Sequence, residues 1–246
     1  MVNIKNIYVV FKRELKSYFE APVAYVFLIA FLLLIGFLTF SVAMYYERNT
    51  ADLSPFFFWH PWVYLLLVPA ATMGLWAEER RSGTIELLLT MPITLTEAVI
   101  GKFLAGWAFI TIAILLTFPI VITTIYLGSP DAGAILCGYV GSILMAGAYV
   151  SVGMFTSSMT RSQVIAFVLS LVFCLLLVMA GWPPVTNFFM KYAPGLVDII
   201  SSISFMAHYE SIGRGVLDMG DIVYFISVMI FMGFATHLLL ENRKSA

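Results

Sequence analysis

Charge is what this chain has least of. Only 11% of its 246 residues are Asp, Glu, Lys or Arg, where a soluble domain carries roughly a quarter. With 61% hydrophobic residues and a mean hydropathy of +0.98, the polar residues cannot cover a fold in water, and the chain reads as a polytopic membrane protein. The net charge of −1 leaves no basic footprint, so nucleic acid is not expected as a partner. Cysteine is scarce as well. Cys137 and Cys174 both lie in apolar runs and read as core thiols, with no disulfide framework and no metal spacing. His60, His208 and His237 are far apart, and none has ligand spacing for a metal or a haem. Gly101-Lys102 is followed by Phe103 and lacks the earlier glycine of a phosphate-binding loop. No serine sits in a Gly-x-Ser-x-Gly elbow. No catalytic residue, metal site or cofactor is expected in this chain.

What is present is a series of uncharged runs. Residues 1–22 stand apart from the rest, 23–246. In the first segment Ile4, Ile7, Tyr8, Phe11, Leu15, Tyr18 and Phe19 recur three and four apart, with Lys5, Lys12, Arg13 and Lys16 between them. That pattern predicts an amphipathic helix in the membrane interface, its basic residues toward lipid head groups; a simple basic flank orienting the first span is the plainer reading, and both can hold. Pro22 ends this helix. Apolar runs at 23–46, 62–77, 102–131, 133–159, 163–182 and 222–240 predict six spans. The first run is too long for a signal-peptide core and reads as an anchor. Pro119 should kink the third span. In the fourth, Gly138, Ser142 and Ala146, and likewise Gly147 and Ser151, lie four apart. This allows a close helix neighbour, either within the chain or in a second copy. Residues 183–220 are less apolar and predict one or two short external helices that dip into the membrane or lie on it, with Leu196, Ile199, Ile200, Ile203 and Met206 on one face. His237 reads as a packed or hydrogen-bonded residue rather than a proton relay.

One polar island interrupts the spans. Residues 78–97 open with Glu78, Glu79, Arg80 and Arg81, break at Ser82-Gly83, and continue through Thr84, Glu86, Leu87 and Leu88 to Pro92. With both termini in the cytoplasm, ten of the thirteen Lys and Arg residues fall on the inner side and only Arg48, Lys191 and Arg214 fall outside. The positive-inside rule therefore predicts an N-in, C-in arrangement with the island inside. The spans offer almost no buried ionisable group to couple an ion gradient, so any work must come from a partner. The island can seat in a soluble ATPase, rest on the bilayer, or serve as a plain connector.

The island resembles the hallmark of type-2 ABC transporter permeases, in which a Glu/Arg cluster leads into Gly-Thr-x-Glu-Leu-Leu and a proline: here Glu78, Glu79, Arg80, Gly83, Thr84, Glu86, Leu87, Leu88 and Pro92. Phe11 to Phe19, Ala21 to Val26 and Phe205 to Asp221 look like the gliding-motility GldF-type permeases and, more distantly, NosY-type ones. The resemblance implies an all-α, six-span exporter permease with an N-terminal connecting helix (Phe11, Lys12, Arg13, Lys16), a cytoplasmic coupling helix and re-entrant external helices before the last span. It further implies a bacterial inner-membrane location, a second permease subunit, and an ABC ATPase dimer that holds ATP and Mg. A membrane protein with a large periplasmic domain is a further possible partner. The alternative function is a membrane anchor or mechanotransmission scaffold in an ATPase-driven envelope or gliding complex.

Overall fold

A computed structural model describes residues 3–85, 92–192 and 194–244, and all regular structure among them is helical. Helix α1 covers Ile4–Glu20, with Asn3 capping its first turn. Pro22 sits at the first position of α2, Pro22–Phe37, where its missing N–H is no loss; α2 runs on as a wider turn, Leu38–Val42. Then come α3 (Ser54–Phe58), α4 (His60–Thr72), α5 (Gly74–Ser82), α6 (Leu95–Leu115), α7 (Phe118–Leu127), α8 (Ala132–Met159) and α9 (Gln163–Met179). Three short helices follow, α10 (Pro183–Tyr192), α11 (Val197–Ser202) and α12 (Phe205–Gly213), and finally α13 (Met219–Lys244).

Four stretches are long and apolar enough to cross a bilayer: Pro22–Val42, Leu95–Leu127, Ala132–Met159 and Met219–Asn242. A fifth arises if α9 and α10, bent by 66° at their junction, count as one span. The expected run 62–77 is not among them. It is divided at Met73 into α4 and α5, and α4, which carries Pro69 in its interior, has only 13 residues. The kink foreseen at Pro119 appears as the break between α6 and α7, where Pro119 takes a first-turn position.

α8 is the central helix. Within its apolar window 72% of residues are buried, against 17–33% for the other three spans. It packs against α13, α9, α4, α6, α12 and α5. Its small residues make these approaches possible: a Cβ on Gly138 would meet the Phe57 ring at 2.5 Å, one on Gly141 would meet Ile212 at 2.9 Å, and one on Gly153 would meet Thr72 Cβ at 2.8 Å. The small-residue stripe, open between two uses in the sequence, is taken up by packing within the chain.

The apolar stripe of α1 is divided: Leu15, Tyr18 and Phe19 pack against the core, with Tyr18 stacked on Phe109 at 4.7 Å, while its N-terminal part stays outside. Ile4 and Tyr8 are 80% and 60% exposed, and the buried residue is Val10. Val10 is buried because α1 meets α6 at Gly101, where a Cβ would lie 2.7 Å from Val10 Cβ and 3.2 Å from the Ile7 carbonyl. In the segment 183–220, the continuous face through Met206 is also broken. Ser204 Oγ accepts from the Met206 and Ala207 amides and starts α12 as a new helix. Met206 is thus buried on α12, while Leu196, Ile199 and Ile203 stay exposed.

Gly101→Ala is expected to pry α1 from α6 and lower stability by about 1–3 kcal/mol, the usual range for overpacking. Gly233→Ala, with nothing within 4 Å of the added Cβ, should be neutral or slightly stabilising. Thermal unfolding of the two variants in detergent makes the comparison.

Candidate functional site

The charge cluster of the sequence is not a loop. Glu78, Glu79, Arg80 and Arg81 form the last turns of α5. The helix ends at Gly83, whose φ of 75° is left-handed and suits glycine at a helix terminus. Arg80 and Arg81 in the last turn oppose the helix dipole. Successive helical residues point about 100° apart, so each charge meets a different neighbour. Glu78 Oε2 accepts from Gln163 Nε2 of α9 at 2.5 Å. Glu79 Oε1 lies 2.8 Å from Lys102 Nζ of α6 and 3.9 Å from Arg13 of α1. Arg80 donates to the Ser158 carbonyl at the end of α8 at 2.7 Å.

Lys102 is the centre of this site. Its side chain is 2% exposed, and Nζ lies between Glu79 and Glu14, the latter at 3.1 Å. The Trp76 ring sits 5.2 Å from Nζ on a further side. Glu14 also pairs with Arg13 at 2.6 Å. Two carboxylates and two cations thus balance, and they join α1, α5 and α6. Burial pushes the Glu14 carboxyl up, but Lys102 and Arg13 outweigh it and hold the group below its ordinary value of 4.5.

A second polar node lies one turn away, at the start of α6. Thr94 and Glu97 form a reciprocal capping box. The same Glu97 carboxylate accepts from the Asn3 amide at 2.6 Å and from Asn6 Nδ2 at 3.0 Å, which pins the beginning of α1. Asn6 Nδ2 also reaches the Pro92 carbonyl at 3.5 Å. Above the charged turn, the break between α4 and α5 is closed by α8. Ser157 Oγ accepts from the Trp76 and Ala77 amides and donates to the Met73 carbonyl at 2.7 Å. The Tyr18 hydroxyl donates to the Ala71 carbonyl at 2.9 Å.

Of the residues singled out in the sequence, Glu78, Glu79, Arg80 and Arg13 are brought into this site. Thr84 is placed just beyond α5, bonded to Ser82 at 2.9 Å. Arg81 and Lys12 are not drawn into the cluster; Lys12 is exposed, and Lys16 pairs with Glu20 at 3.0 Å on its own helix. Phe11 takes no part in the charge cluster and lines an apolar groove with Leu104 and Ala108 of α6. Glu86, Leu87 and Leu88 lie outside the described residues. Sequence reading missed Lys102, Glu14, Glu97 and Ser157. Lys102 carried one signal, as the last charge before a long apolar run; Ser157, one small residue among many, carried none. His237 pairs loosely with Glu241 on its own helix, at 3.5 Å.

Lys102→Met leaves two facing carboxylates without their shared cation and is expected to cost about 3–5 kcal/mol. Adding Glu14→Gln and Glu79→Gln should recover most of that loss, as read by thermal unfolding in detergent. A carboxylate held low in the fold contributes stability that is complete above pH 4.5 and disappears as pH falls from there through the lower folded value. Glu14 should therefore add its full contribution between pH 7 and 5 with no pH dependence there, and the acid limb should be shallower in Glu14→Gln than in the wild type.

Comparison with known proteins adds identity to this geometry. No curated protein matches the chain. The family model described as ABC-2 family transporter protein matches residues 63–240, from within α4 to near the end of α13 and more than two thirds of the sequence. The chain is a multi-pass membrane protein that belongs to the ABC-2 transporter family.

Proposed function

We propose that this chain is the permease subunit of an ATP-binding cassette exporter in a bacterial inner membrane, driven by a separate ATPase dimer that binds ATP and Mg. The carrying observation is α5: one short helix whose charges grip α1, α6, α8 and α9 and whose end leads into the Gly83–Pro92 segment. On this reading α4 and α5 together form the second of six spans, about 34 Å over His60–Ser82 at 1.5 Å per residue, and both termini are cytoplasmic. Residues 84–91 supply the coupling segment, and α10 to α12 are the external helices before the last span. A second permease, identical or related, completes the path. The GldF-type likeness adds a membrane protein with a large periplasmic domain as a further partner.

Work delivered to the segment after Gly83 reaches α5 at one end and α6 at the other. Displacing α5 loads the Glu79–Lys102 pair and, through it, α1 and α6. Charges in a dry site have a few discrete arrangements rather than a continuum, which suits a two-position machine.

Co-reconstitution with the cognate ATPase tests the reading. Glu86→Lys or Leu88→Pro should abolish capture of the ATPase while membrane insertion persists. Glu79→Gln should retain capture and lower the substrate moved per ATP. Survival of capture and of ATP-dependent flux in both coupling-segment variants would sink the coupling assignment. Hydrolysis by a captured ATPase with no flux from proteoliposomes would instead assign the anchor or force-transmitting role.

A further inference from the structure

The N-terminal part of the apolar stripe of α1 forms one wall of a groove. Ile4, Tyr8 and Phe11 face Leu104, Ala108 and Ile112 of α6 across a space of about 600 Å3, within the usual range for a ligand-sized site. The polar groups of the far wall are already satisfied: Trp107 Nε1 donates to the Ile143 carbonyl at 2.7 Å and Thr111 Oγ1 to the Trp107 carbonyl at 2.8 Å. The groove therefore suits a hydrocarbon chain and offers little to a polar ligand.

Charge beside the groove defines the other end of the occupant. At 3.6 residues per turn, Lys5, Lys12 and Lys16 share a stripe of α1 next to the apolar one. Lys16 is paired with Glu20. Lys5 and Lys12 are exposed and have no carboxylate within ion-pair distance among the described residues. The acidic residues nearest in sequence do not compete, because Glu14 is committed to Lys102 and Arg13 on another face. An acyl-length apolar slot flanked by two uncommitted lysines matches an amphiphile with a negative head.

We infer that this groove seats an anionic phospholipid, with one acyl chain between α1 and α6 and its phosphate on Lys5 and Lys12. The lipid would fill the gap left by docking α1 through Val10 and Gly101, and so hold α1 at the angle that places Glu14 on Lys102. The inference rests only on the chain lying in a bilayer. A failed lipid test leaves the ATPase reading standing, and failed ATPase capture leaves this site standing.

The test uses the full chain, delipidated in detergent and supplied with phosphatidylglycerol or phosphatidylcholine of equal chain length. Bound lipid is counted by native mass spectrometry, and affinity is taken from the lipid dependence of thermal unfolding. Phosphatidylglycerol should be retained and should stabilise more than phosphatidylcholine. The double variant Lys5→Ala/Lys12→Ala should weaken phosphatidylglycerol about 30-fold, as expected for two head-group lysines, and leave phosphatidylcholine unchanged. Ala108→Phe, which fills the groove without touching a lysine, should displace both lipids. Equal affinity for the two lipids, or retention of both by Ala108→Phe, overturns the site. So does a change in the oligomeric mass of Ala108→Phe with lipid binding intact, which would give the groove to a second copy. Loss of ATPase capture alone in the lysine variant would likewise give the basic stripe to the ATPase.

Discussion

A lysine ammonium buried in a membrane protein is stable only with a counter-charge at hand, because its desolvation costs several kcal/mol. Lys102 meets that requirement with two carboxylates from two other helices, Glu79 of α5 and Glu14 of α1. The choice of partners has geometric consequences. Glu79 fixes the rotation of α5, which in turn sets Glu78 toward Gln163 and Arg80 toward the end of α8. Glu14 fixes the rotation of α1 and turns its basic stripe away from the protein. Ile4, Tyr8 and Phe11 are then left facing the groove, while Leu15, Tyr18 and Phe19 pack on the core.

The division of the second apolar run at Met73 follows the same logic. A broken helix in hydrocarbon exposes backbone groups that water cannot reach, and the break persists only where side chains supply partners. One hydroxyl, Ser157, accepts two amides and donates to one carbonyl there. A separate α5 is thereby created, tied to its surroundings by side-chain bonds rather than by the continuous ladder of one long helix. On the coupling reading this is the property needed, since a short element held by a few polar contacts can shift where a full-length span cannot.

Much of the fold was legible because composition and period carry it. Uncharged runs of about 20 residues mark spans irrespective of partners, Pro22 marks the end of α1 and Pro119 the kink after α6, and the small residues of α8 announce close packing. The expectation failed where one position decided the outcome. Nothing in the residue types distinguishes Ser157 from the other hydroxyls of α8, so the break at Met73 could not be read. The docking of α1 on α6 could not be read because periodicity weighs all apolar residues alike, whereas docking was decided by the bare surface of Gly101 and by Asn6 and Glu14 finding partners on α6 and at its N-terminal cap. The Glu/Arg cluster was found from its scarcity, but its buried cation was not. Lys102 looked like one more flanking charge at the end of a span.

α8 joins α5 to α12. At its C-terminal end Ser157 and Ser158 hold α5. Nearer the middle of the helix, Ser142 Oγ meets the Tyr209 hydroxyl of α12 at 2.9 Å, that hydroxyl donates to the Phe57 carbonyl at 3.1 Å, and Gly141 accommodates Ile212. The helix has 28 residues and no proline, a rod of about 42 Å at 1.5 Å per residue. Its central stretch is packed on all sides, and tightly packed interiors transmit displacement rather than absorb it. α5 and α12 are therefore held to one stiff helix by side-chain hydrogen bonds, while the ion pairs of Lys102 lie beside α8 and join α5, α6 and α1.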